Sequence, residues 1–543
     1  MSYIIKAEIN GIQDFIFNIQ SKGAAKALKA RSFTIEACCY LIEKIFEESF
    51  PKGNKIFTGG GNVYFETGIE NINEEEFRKA YSEKTSLIIK ALLPYQLTAS
   101  FSYSFFDNRQ AFGIFIKSLN EKLNSNKLRF GVNDINVFLP NAGLHKNQSD
   151  FMSLTSTYAR NNSFEIRQDN NDNRKLVTGE GVALLNQKII FNNRPSGFLI
   201  PLPTWNSDLL FNYQDVITEI KLQDDEDEYA APKKDNIISF EYLAAFAKKR
   251  TGTDNLGILK LDIDNLGKLF QKLNQKEQNA FLSKKMQFFF REAIIKLLDS
   301  TVTINNEKYR LKDNIYTVYA GGDDCFFIGA WDAIIEFAIK LQKEFSKFET
   351  EIRKKINVFT KPITLSAAII LVDSHFPVVR FAEIVEDDLK TAKATKANEQ
   401  FDASGEQMKN NISFMGHVFS WEEFYELIEV KDTMNEMINE YNESNAFLHR
   451  IINSFEGSDK IYWQKCKESK PFNPSVLWRF IYSFRDIRHK PYFNTSGLHD
   501  KFFSEKNGYY RRYIWEHFSP GKEISQVMPV AARWTELLNR NKN

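Results

Sequence analysis

Cysteine is scarce in this chain of 543 residues, which contains only Cys38, Cys39, Cys325 and Cys466. None of them forms a C-x-x-C pair, so we expect no structural zinc site. So few cysteines fit a reducing compartment, where disulfides are rare. The N-terminus, MSYIIKAEINGIQDF, also lacks the basic and apolar regions of a secretion signal. These absences predict a cytoplasmic protein.

Long apolar runs and an excess of one charge are missing as well. No run reaches the roughly 18 apolar residues of a membrane span, so we expect none. The 71 Lys and Arg residues nearly balance the 70 Asp and Glu residues. Duplex DNA binding is therefore not expected from this chain alone, although contact with RNA through partner proteins is not excluded. Phenylalanine is abundant, with 48 residues, which predicts large aromatic cores.

Strand and helix patterns alternate along the chain and divide it into units. An apolar strand is predicted over 3–9 and a helix over 22–50. Residues 145–175 are rich in Asn, Ser and Asp, which predicts a loop. Residues 222–236 carry an acidic run, a proline and two lysines, which indicates a linker or, alternatively, a solvated acidic face. A second unit is predicted to start near Ile237.

Two sequence motifs occur twice and in the same order. The first copy has AEING at 7–11 and FTGGGNVYF at 57–65, and the second has LDIDN at 261–265 and YAGGDDCFF at 319–327. The shorter motif follows an apolar strand in both copies, and the longer one reads as strand, glycine turn, strand. The repeat predicts two copies of one strand–helix–hairpin unit, and chance similarity of short apolar strands is the alternative.

The two copies differ in their acidic residues. The second copy carries four carboxylates, whereas the first carries one carboxylate and three neutral residues. In aligned order these are Asp262, Asp264, Asp323 and Asp324 in the second copy, and Glu8, Asn10, Gly61 and Asn62 in the first. We therefore expect one half to be equipped for metal ions and the other half not.

The acids of the second copy lie at a strand end and on a hairpin tip, where adjacent strands bring side chains close together. Clustered carboxylates raise each other's pKa unless a cation neutralises them. Their oxygens suit Mg²⁺ or Mn²⁺, and two such ions stabilise the attacking and leaving oxygens of an in-line displacement. Gly321 and Gly322 permit positive φ at the tip. The alternative is a tight surface turn that carries acids.

The chain resembles a known family at these motifs. The stretches LGILKLDIDNLGKLF and VYAGGDDCFFIG are similar to the palm domain of nucleotidyl cyclases. More closely, they resemble the large polymerase–cyclase subunit of type III CRISPR effector complexes, the Csm/Cmr large subunit. Further similar stretches are GIQDFIF, SKGAAKALKARSF, TGGGN, FEYLAAFAKKR, TLSAAIILV, HFPVVRFAEIVEDDLKTAKATKA and GHVFSWEEF. The resemblance covers nearly the whole chain and is weakest over about 120–235.

The resemblance implies an α+β fold with two ferredoxin-like (nucleotidyl cyclase/palm) domains, an intervening mixed module and a C-terminal helical domain. We predict the first palm-like domain at 1–115, the module and linker at 116–235, the second palm at 236–400 and the helical domain at 401–543. It also implies that two ATP molecules bind between the palms. The second palm would join ATP into 3′–5′ cyclic oligoadenylate when target RNA binds. The implied partners are other type III effector subunits, crRNA and target RNA.

The resemblance also implies roles for individual residues. Asp323 and Asp324 are implied to be catalytic, and Asp262, the Ile263 carbonyl and Asp323 to hold Mg²⁺ or Mn²⁺. The implied nucleotide-binding residues are Asp264, Asn265, Gly267, Gly321, Gly322, Ser366 and Lys393 in the second palm, and Gly59, Gly60, Gly61 and Asn62 in the first. For several of these an ordinary structural role is the alternative: a solvated Lys393, a strand residue at Ser366, and a plain hairpin at 59–62.

The chain departs from the family pattern in two places. Many members carry an N-terminal HD nuclease domain, whereas this sequence begins at the first palm, so HD-type DNA cleavage is not expected. The only His-Asp dipeptide, His499-Asp500, is predicted to lie in a loop. Paired cysteines between the palms are absent, so that zinc site is not expected either.

Other functions stay open at this point. The same palm could adenylylate a different small-molecule acceptor, or the subunit could be a catalytically silent scaffold or RNA-binding component. A diguanylate cyclase fits less well, because the chain carries an inactive partner half. The basic and aromatic segment 470–520 indicates either single-stranded nucleic acid binding or an amphipathic helical bundle.

Overall fold

The computed structural model describes most of the chain. The described residues are 2–19, 23–70, 74–129, 148–169, 175–191, 197–223, 232–322, 324–395, 401–456, 475–517 and 525–542. Asp323, Cys466 and residues 224–231 of the predicted linker lie outside them.

A four-stranded antiparallel sheet with helices forms the first palm. Its strand order is β2-β3-β1-β4, and β1 is antiparallel to both of its neighbours. The long helix α2 forms because Leu28, Ile35 and Ile42 recur at heptad spacing on its buried face. The elements are β1 (Ser2–Asn10), α1 (Ile12–Phe17), α2 (Ala24–Ser49), β2 (Asn54–Gly59), β3 (Asn62–Glu66), α3 (Glu74–Leu92), β4 (Thr98–Phe106) and α4 (Phe112–Arg129).

A five-stranded sheet with the order β6-β7-β8-β5-β9 forms the intervening module. Its elements are α5 (Gln148–Ala159), β5 (Ser163–Gln168), β6 (Val177–Thr178), β7 (Gly181–Leu184), β8 (Gln187–Phe191), β9 (Gly197–Phe198), α6 (Ser207–Asn212) and α7 (Gln214–Gln223). The predicted loop over 145–175 is therefore wrong, since α5 and β5 lie within it. Phe151, Leu154 and Tyr158 are buried at helical spacing, and this apolar face outweighs the polar composition.

The second palm repeats the topology of the first. Its sheet order is β13-β14-β10-β15, and β10 is antiparallel to both of its neighbours. The predicted duplication is confirmed by this shared order. The elements are α8 (Phe240–Thr251), β10 (Leu256–Ile263), α9 (Leu266–Lys272), α10 (Lys276–Phe288), α11 (Ile294–Leu298), β11 (Thr301–Ile304), β12 (Glu307–Arg310), β13 (Ile315–Gly321), β14 (Asp324–Ala330), α12 (Trp331–Lys355), β15 (Leu365–Val372) and α13 (Val378–Ala394), with a π-helical segment, Phe289–Ala293, between α10 and α11.

Two more strands and a set of helices complete the chain. Strand β16 (Asn411–Phe414) pairs in parallel with β15, and β17 (His417–Ser420) is the edge strand. Ser420 and Glu423 form a capping box that starts the next helix, and Trp421 is buried there. The helices are α14 (Trp421–Asn439), α15 (Ala446–Ser454), α16 (Ser475–Ser483), α17 (Pro491–Thr495), α18 (Leu498–Phe503) and α19 (Val527–Leu538).

The His499-Asp500 dipeptide lies in α18, so the loop predicted there is wrong. Gly497 adopts a left-handed conformation, φ 79°, at the start of this helix. Leu498 and Phe502, four residues apart, are both buried. The apolar pair therefore holds one helical turn although the flanking residues are polar.

Two large apolar cores hold these units together. One spans the first palm, the intervening module and one face of the second palm's sheet, and the other joins the opposite face to the C-terminal helices. Helix α4 spans the boundary predicted after residue 115, and β16 adds to the second palm's sheet beyond residue 400. Neither observation fixes where one domain ends and the next begins, and the domain bounds stay a prediction. Among the described residues, no helix combines the length and apolarity needed to cross a membrane.

Candidate functional site

Two of the predicted acids are register partners on neighbouring strands. Asp262, at the end of β10, lies opposite Asp324 of β14 on one side and Ser366 of β15 on the other. Cα atoms of antiparallel partners are about 4.5–5.5 Å apart, so the carboxylates of Asp262 and Asp324 belong to one small region. Ile263 follows directly at the strand end. Asp323, predicted to be both catalytic and a metal ligand, lies outside the described residues.

Each of these two carboxylates has a polar partner. The Lys393 ammonium, in the last turn of α13, donates to Asp262, and the two side chains are 27% and 20% exposed. The Tyr319 hydroxyl donates to Asp324 at 3.2 Å. Burial and the charge of Asp324 raise the pKa of Tyr319 well above its usual range, so the phenol remains a donor. The Lys393 ammonium therefore already neutralises part of the negative charge at this site.

Asp264 lies in the interior rather than on the cavity surface. Its carboxylate accepts from the hydroxyls of Thr364 and Ser366, each at 2.8 Å, and from the backbone N–H of Asn410 at 3.1 Å. Burial raises its pKa, and the hydrogen bonds partly offset this. Asp264 and Ser366 bond to each other and support the strand end, and nucleotide binding by these two residues stays a prediction.

Asn265 and Gly267 lie at the start of α9. Asn265 adopts a left-handed conformation, φ 57°, at the N-cap, and its amide donates to Asp402 at 2.7 Å and accepts from Lys409 at 2.9 Å. Its side chain therefore anchors the connector that follows the second palm. Gly267 borders a cavity, and a Cβ atom there would meet nothing within 4 Å.

The first palm carries the same arrangement with different residues. Glu8 lies opposite Asn62 of β3 and Ser100 of β4, as Asp262 lies opposite Asp324 and Ser366. Lys127 of α4 donates to Glu8 at 2.5 Å, as Lys393 of α13 donates to Asp262. The strand registers therefore confirm the alignment of the two copies.

The polar support beneath the strand end is also repeated. The amide of Asn10 donates to the hydroxyls of Thr98 and Ser100 at 3.3 and 2.8 Å, in the place where Asp264 accepts from Thr364 and Ser366. Burial alone raises the pKa of Glu8, but bonds from Lys127 and Lys6 outweigh it and leave that pKa lowered. Sequence analysis missed this support, although Thr-x-Ser occurs at 98–100 and again at 364–366.

The two glycine hairpins, one from each palm, meet at Gly60 and Gly322. A Cβ atom on Gly60 would lie 3.2 Å from the Cα of Gly322, and the reverse distance is the same. Both residues have positive φ, 57° and 76°. Only glycine combines this conformation with so close an approach. The structure thus brings together glycines from the two hairpins that were predicted to bind nucleotide, one in each half of the chain.

Two cavities flank this contact. The larger, about 270 Å³, combines the hairpin of the second palm with α1 and α2 of the first. The smaller, about 170 Å³, combines the hairpin of the first palm with α9 and α10 of the second. Their linings correspond position by position: Ile12, Gln13, Ile16, Tyr319, Gly321, Gly322 and Asp324 in the larger, and Leu266, Gly267, Phe270, Phe57, Gly59, Gly60 and Asn62 in the smaller. The two cavities are related by the duplication.

Polar groups from both palms line the larger cavity. Arg291 pairs with Glu36 of α2, and the side-chain amide of Gln287 donates to the carbonyl of Thr58. Burial lowers the pKa of Arg291 to about 10, which still leaves the guanidinium charged at neutral pH. A partly buried cation, acceptors and apolar walls together suit a ligand that has both an anionic and a flat apolar part.

The basic and aromatic segment of the C-terminal domain forms helices. Phe480, Phe484 and Phe502 are buried, and Phe484 contacts both of the others, whereas Trp478 and Tyr482 are exposed. The bundle that the sequence analysis offered as one alternative is confirmed, and nucleic acid binding stays a prediction. Among the described residues, which exclude Asp323, no group of three or more His, Cys, Asp or Glu side chains is arranged to hold a metal ion.

Comparison with known proteins places both palms in one family. The model of the Cas10/Cmr2 second palm domain matches residues 255–401, and the model of Csm1 subunit domain B matches residues 1–139. Two similar curated proteins are named CRISPR system single-strand-specific deoxyribonuclease Cas10/Csm1 (subtype III-A). The one from Methanocaldococcus jannaschii is 27% identical over 77% of this chain, and the one from Enterococcus italicus is 22% identical over 84%. The chain spans 59% and 60% of their lengths.

Solved structures share the fold over nearly the whole chain. A Csm1-Csm4 cassette in complex with one ATP matches with a TM-score of 0.63 and 20% identity, covering 99% of this chain and 70% of that one. A cassette in complex with cA3 matches with a TM-score of 0.62 and 18% identity, over 99% and 70%. Csm1 of T. onnurineus matches with a TM-score of 0.64 and 18% identity, over 99% and 69%. With both palms matched by family models and this fold shared throughout, the chain belongs to the Cas10/Csm1 family.

Proposed function

We propose that this chain is the nucleotidyltransferase subunit of a cytoplasmic type III CRISPR effector complex. It joins ATP into 3′–5′ cyclic oligoadenylate when target RNA binds the complex. One observation carries the proposal: Asp324, the register partner of the strand-end Asp262, lines a cavity formed by both palms, and a related cavity across the hairpin contact has Asn62 at the equivalent position. Two adjacent nucleotide sites, with carboxylates at one, suit the joining of two nucleotides.

The residues of the second palm fit divalent cations. Asp262, the Ile263 carbonyl and Asp323 would hold Mg²⁺ or Mn²⁺, because all three offer hard oxygen ligands. The fit is supported by Asp262, which is one-fifth exposed and already paired with the Lys393 ammonium. When bound, the ions would neutralise charge on the attacking and leaving oxygens.

The chain's own groups orient the nucleotides. Asp324, which accepts a hydrogen bond from the Tyr319 hydroxyl, would position the attacking 3′-hydroxyl or support the metal ion. Lys393 carries its charge on a flexible stem, so it can exchange Asp262 for triphosphate oxygens. Gly321, where a Cβ atom would meet nothing within 4 Å, leaves room for a phosphate to approach the backbone, and Gly322 packs against Gly60 beside it.

The first palm would hold a nucleotide without performing the reaction. Gly59, Gly60, Gly61 and Asn62 occupy the hairpin that corresponds to the acidic one. Glu8 remains there, paired with Lys127 and Lys6, but the positions of the other three acids carry the neutral residues Asn10, Gly61 and Asn62, which leaves one carboxylate to bind a metal ion. The names of the related structures, with one ATP and with cA3 bound, support this assignment of ligands. A Csm4-like protein, other effector subunits, crRNA and target RNA are the proposed partners.

The test is the product spectrum of the assembled complex. The complex is incubated with target RNA, Mg²⁺ or Mn²⁺, and labelled ATP, and products are identified by mass spectrometry, with GTP tested in parallel. We expect oligoadenylate rings only with target RNA, and none from the variant with both Asp323→Ala and Asp324→Ala. An adenylylated small molecule would point instead to a different acceptor. Tight RNA-dependent assembly without nucleotide turnover would contradict the proposal and indicate a scaffold.

A further inference from the structure

Strand β13, which leads into the acidic hairpin, carries a β-bulge. Its register against β14 shifts between Thr317 and Tyr319, so Val318 is the extra residue. A bulge bends a strand and redirects the residues that follow it. Those residues are Gly321 and Gly322, directly before the two predicted catalytic acids.

Helix α2 of the first palm bonds to this bulge. The Ser32 hydroxyl donates to the Val318 carbonyl at 2.6 Å. The Lys29 ammonium donates to the carbonyl of Thr317 at 3.3 Å and contacts that of Val318 at 3.5 Å. Lys29 and Ser32 are one helical turn apart, and both are buried. The two side chains therefore fix both carbonyls at the bulge from the same helix face.

Burying a lysine at position 29 is energetically unfavourable. It is only 3% exposed, and its ammonium lies 4.9 Å from the centre of the Tyr158 ring. Burial, together with the nearby charge of Arg291, lowers its pKa to about 7. An apolar side chain would fill the same space without desolvating a cation. The hydrogen bonds to the two carbonyls therefore explain why an ammonium group is buried at this position.

We propose that Lys29 and Ser32 are positioning residues through which the first palm sets the geometry of the acidic hairpin of the second. This inference rests on the proposed function, because it gives the non-catalytic palm a part in the reaction besides nucleotide binding. Neither side chain needs to touch a reacting atom. They act by holding the strand whose end carries Asp324 opposite Asp262.

The second palm makes a similar contact with the glycine hairpin of the first palm. Strand β2 has its own bulge, with the register shift between Lys55 and Phe57. Two residues beyond this bulge the second palm contributes Gln287, whose amide donates to the carbonyl of Thr58. Each palm thus bonds to backbone carbonyls in the other palm's hairpin, and the contact onto the acid-bearing hairpin uses a buried ammonium and a hydroxyl.

The test compares variants of α2 in the full chain and in the assembled complex. Lys29→Met removes the ammonium at similar volume, and Ser32→Ala removes the hydroxyl. Ser32→Thr restores a hydroxyl, and Thr34→Val is the matched control, because the buried Thr34 hydroxyl donates within its own helix, to Ala30. Ser32 also borders the larger cavity, so Lys29→Met separates positioning from nucleotide contact.

Two readouts are measured. Hydrogen exchange of the full chain without nucleotide reports on residues 316–322, and steady-state kinetics of the complex reports kcat and KM for ATP. We expect faster exchange in Lys29→Met and Ser32→Ala, and a kcat lowered roughly ten- to hundredfold with KM changed less than about twofold. Ser32→Thr recovers most of the loss, and Thr34→Val matches the unmodified chain.

Separate outcomes overturn the inference and the proposed function. Unchanged exchange and kcat in both variants would overturn the inference, and so would a loss confined to KM. If the unmodified complex makes no oligoadenylate while exchange rises as expected, the proposed function fails and the contact of Lys29 and Ser32 with the hairpin stands. If Lys29→Met does not fold, Ser32→Ala together with its Ser32→Thr rescue decides the question by the same two readouts.

Discussion

Replacing Lys29 with methionine is expected to change how the stability of the chain depends on pH. In the folded chain, burial and Arg291 lower the pKa of Lys29 to about 7, from an ordinary value of 10.5. Between these two values the unfolded chain binds more protons than the folded one. The free energy of unfolding therefore rises with pH through this window. The cost of burying the ammonium is complete below about pH 7 and has vanished above about pH 10.5.

The size of the effect follows from the same interval. Each pH unit within it corresponds to about 1.36 kcal/mol, so the whole window corresponds to at most about 5 kcal/mol. The assay is urea unfolding at several pH values from 7 to 10.5 for the unmodified chain and for Lys29→Met. Because tyrosines titrate in both proteins, the difference between the two isolates Lys29. Lys44→Met on the exposed side of α2 is the control.

The stability of the unmodified chain is expected to rise relative to Lys29→Met as the pH increases. Lys44→Met is expected to follow the unmodified chain at every pH. A difference between the unmodified chain and Lys29→Met that stays constant from pH 7 to 10.5 would refute the reasoning. It would mean that Lys29 keeps an ordinary pKa and that its ammonium reaches water.

Three further predictions concern other parts of the structure. Asp332→Ala leaves the buried Arg250 guanidinium without its partner, so we expect unfolding to become easier by about 3–5 kcal/mol, measured in urea, whereas Glu47→Ala in an exposed pair changes little. Gly322→Ala forces a Cβ atom to 3.2 Å from the Cα of Gly60 at positive φ, so we expect separated hairpins and lower oligoadenylate output, with Gly416→Ala, whose Cβ meets nothing, as the control for the φ effect alone. Lys393→Met is expected to raise KM for ATP more than it lowers kcat, in contrast to Asp324→Ala, and the opposite ranking in the kinetics would remove Lys393 from the triphosphate.

The repeated motifs made much of the fold predictable. Strand–turn–helix and glycine-hairpin patterns are local, so the aligned copies predicted two equivalent units and acids close together at the strand end and the hairpin tip. The helix over 148–159 was missed because its buried face is formed by few apolar residues in a polar stretch. Its burial depends on packing against α2, which the local composition does not report.

The support around the site was harder to predict, because it depends on residues far apart in sequence. Asp264 looks like a site carboxylate next to Asp262, but the hydroxyls of Thr364 and Ser366 engage it in the interior. The bond from Lys29 to Thr317 joins residues 288 positions apart. Contacts of this kind depend on how the two palms pack together, and the spacing of residues within either motif does not predict them.

The proposal that the second palm performs the reaction and the first does not can be tested at one pair of equivalent positions. Glu8 and Asp262 occupy the same register in the two sheets. The measurement is the amount of oligoadenylate formed by the target-RNA-bound complex with Glu8→Ala or Asp262→Ala. We predict that Asp262→Ala lowers the yield about a hundredfold or more, whereas Glu8→Ala retains a substantial fraction of it. Equal losses, or a greater loss from Glu8→Ala, would contradict the assignment of catalysis to the second palm.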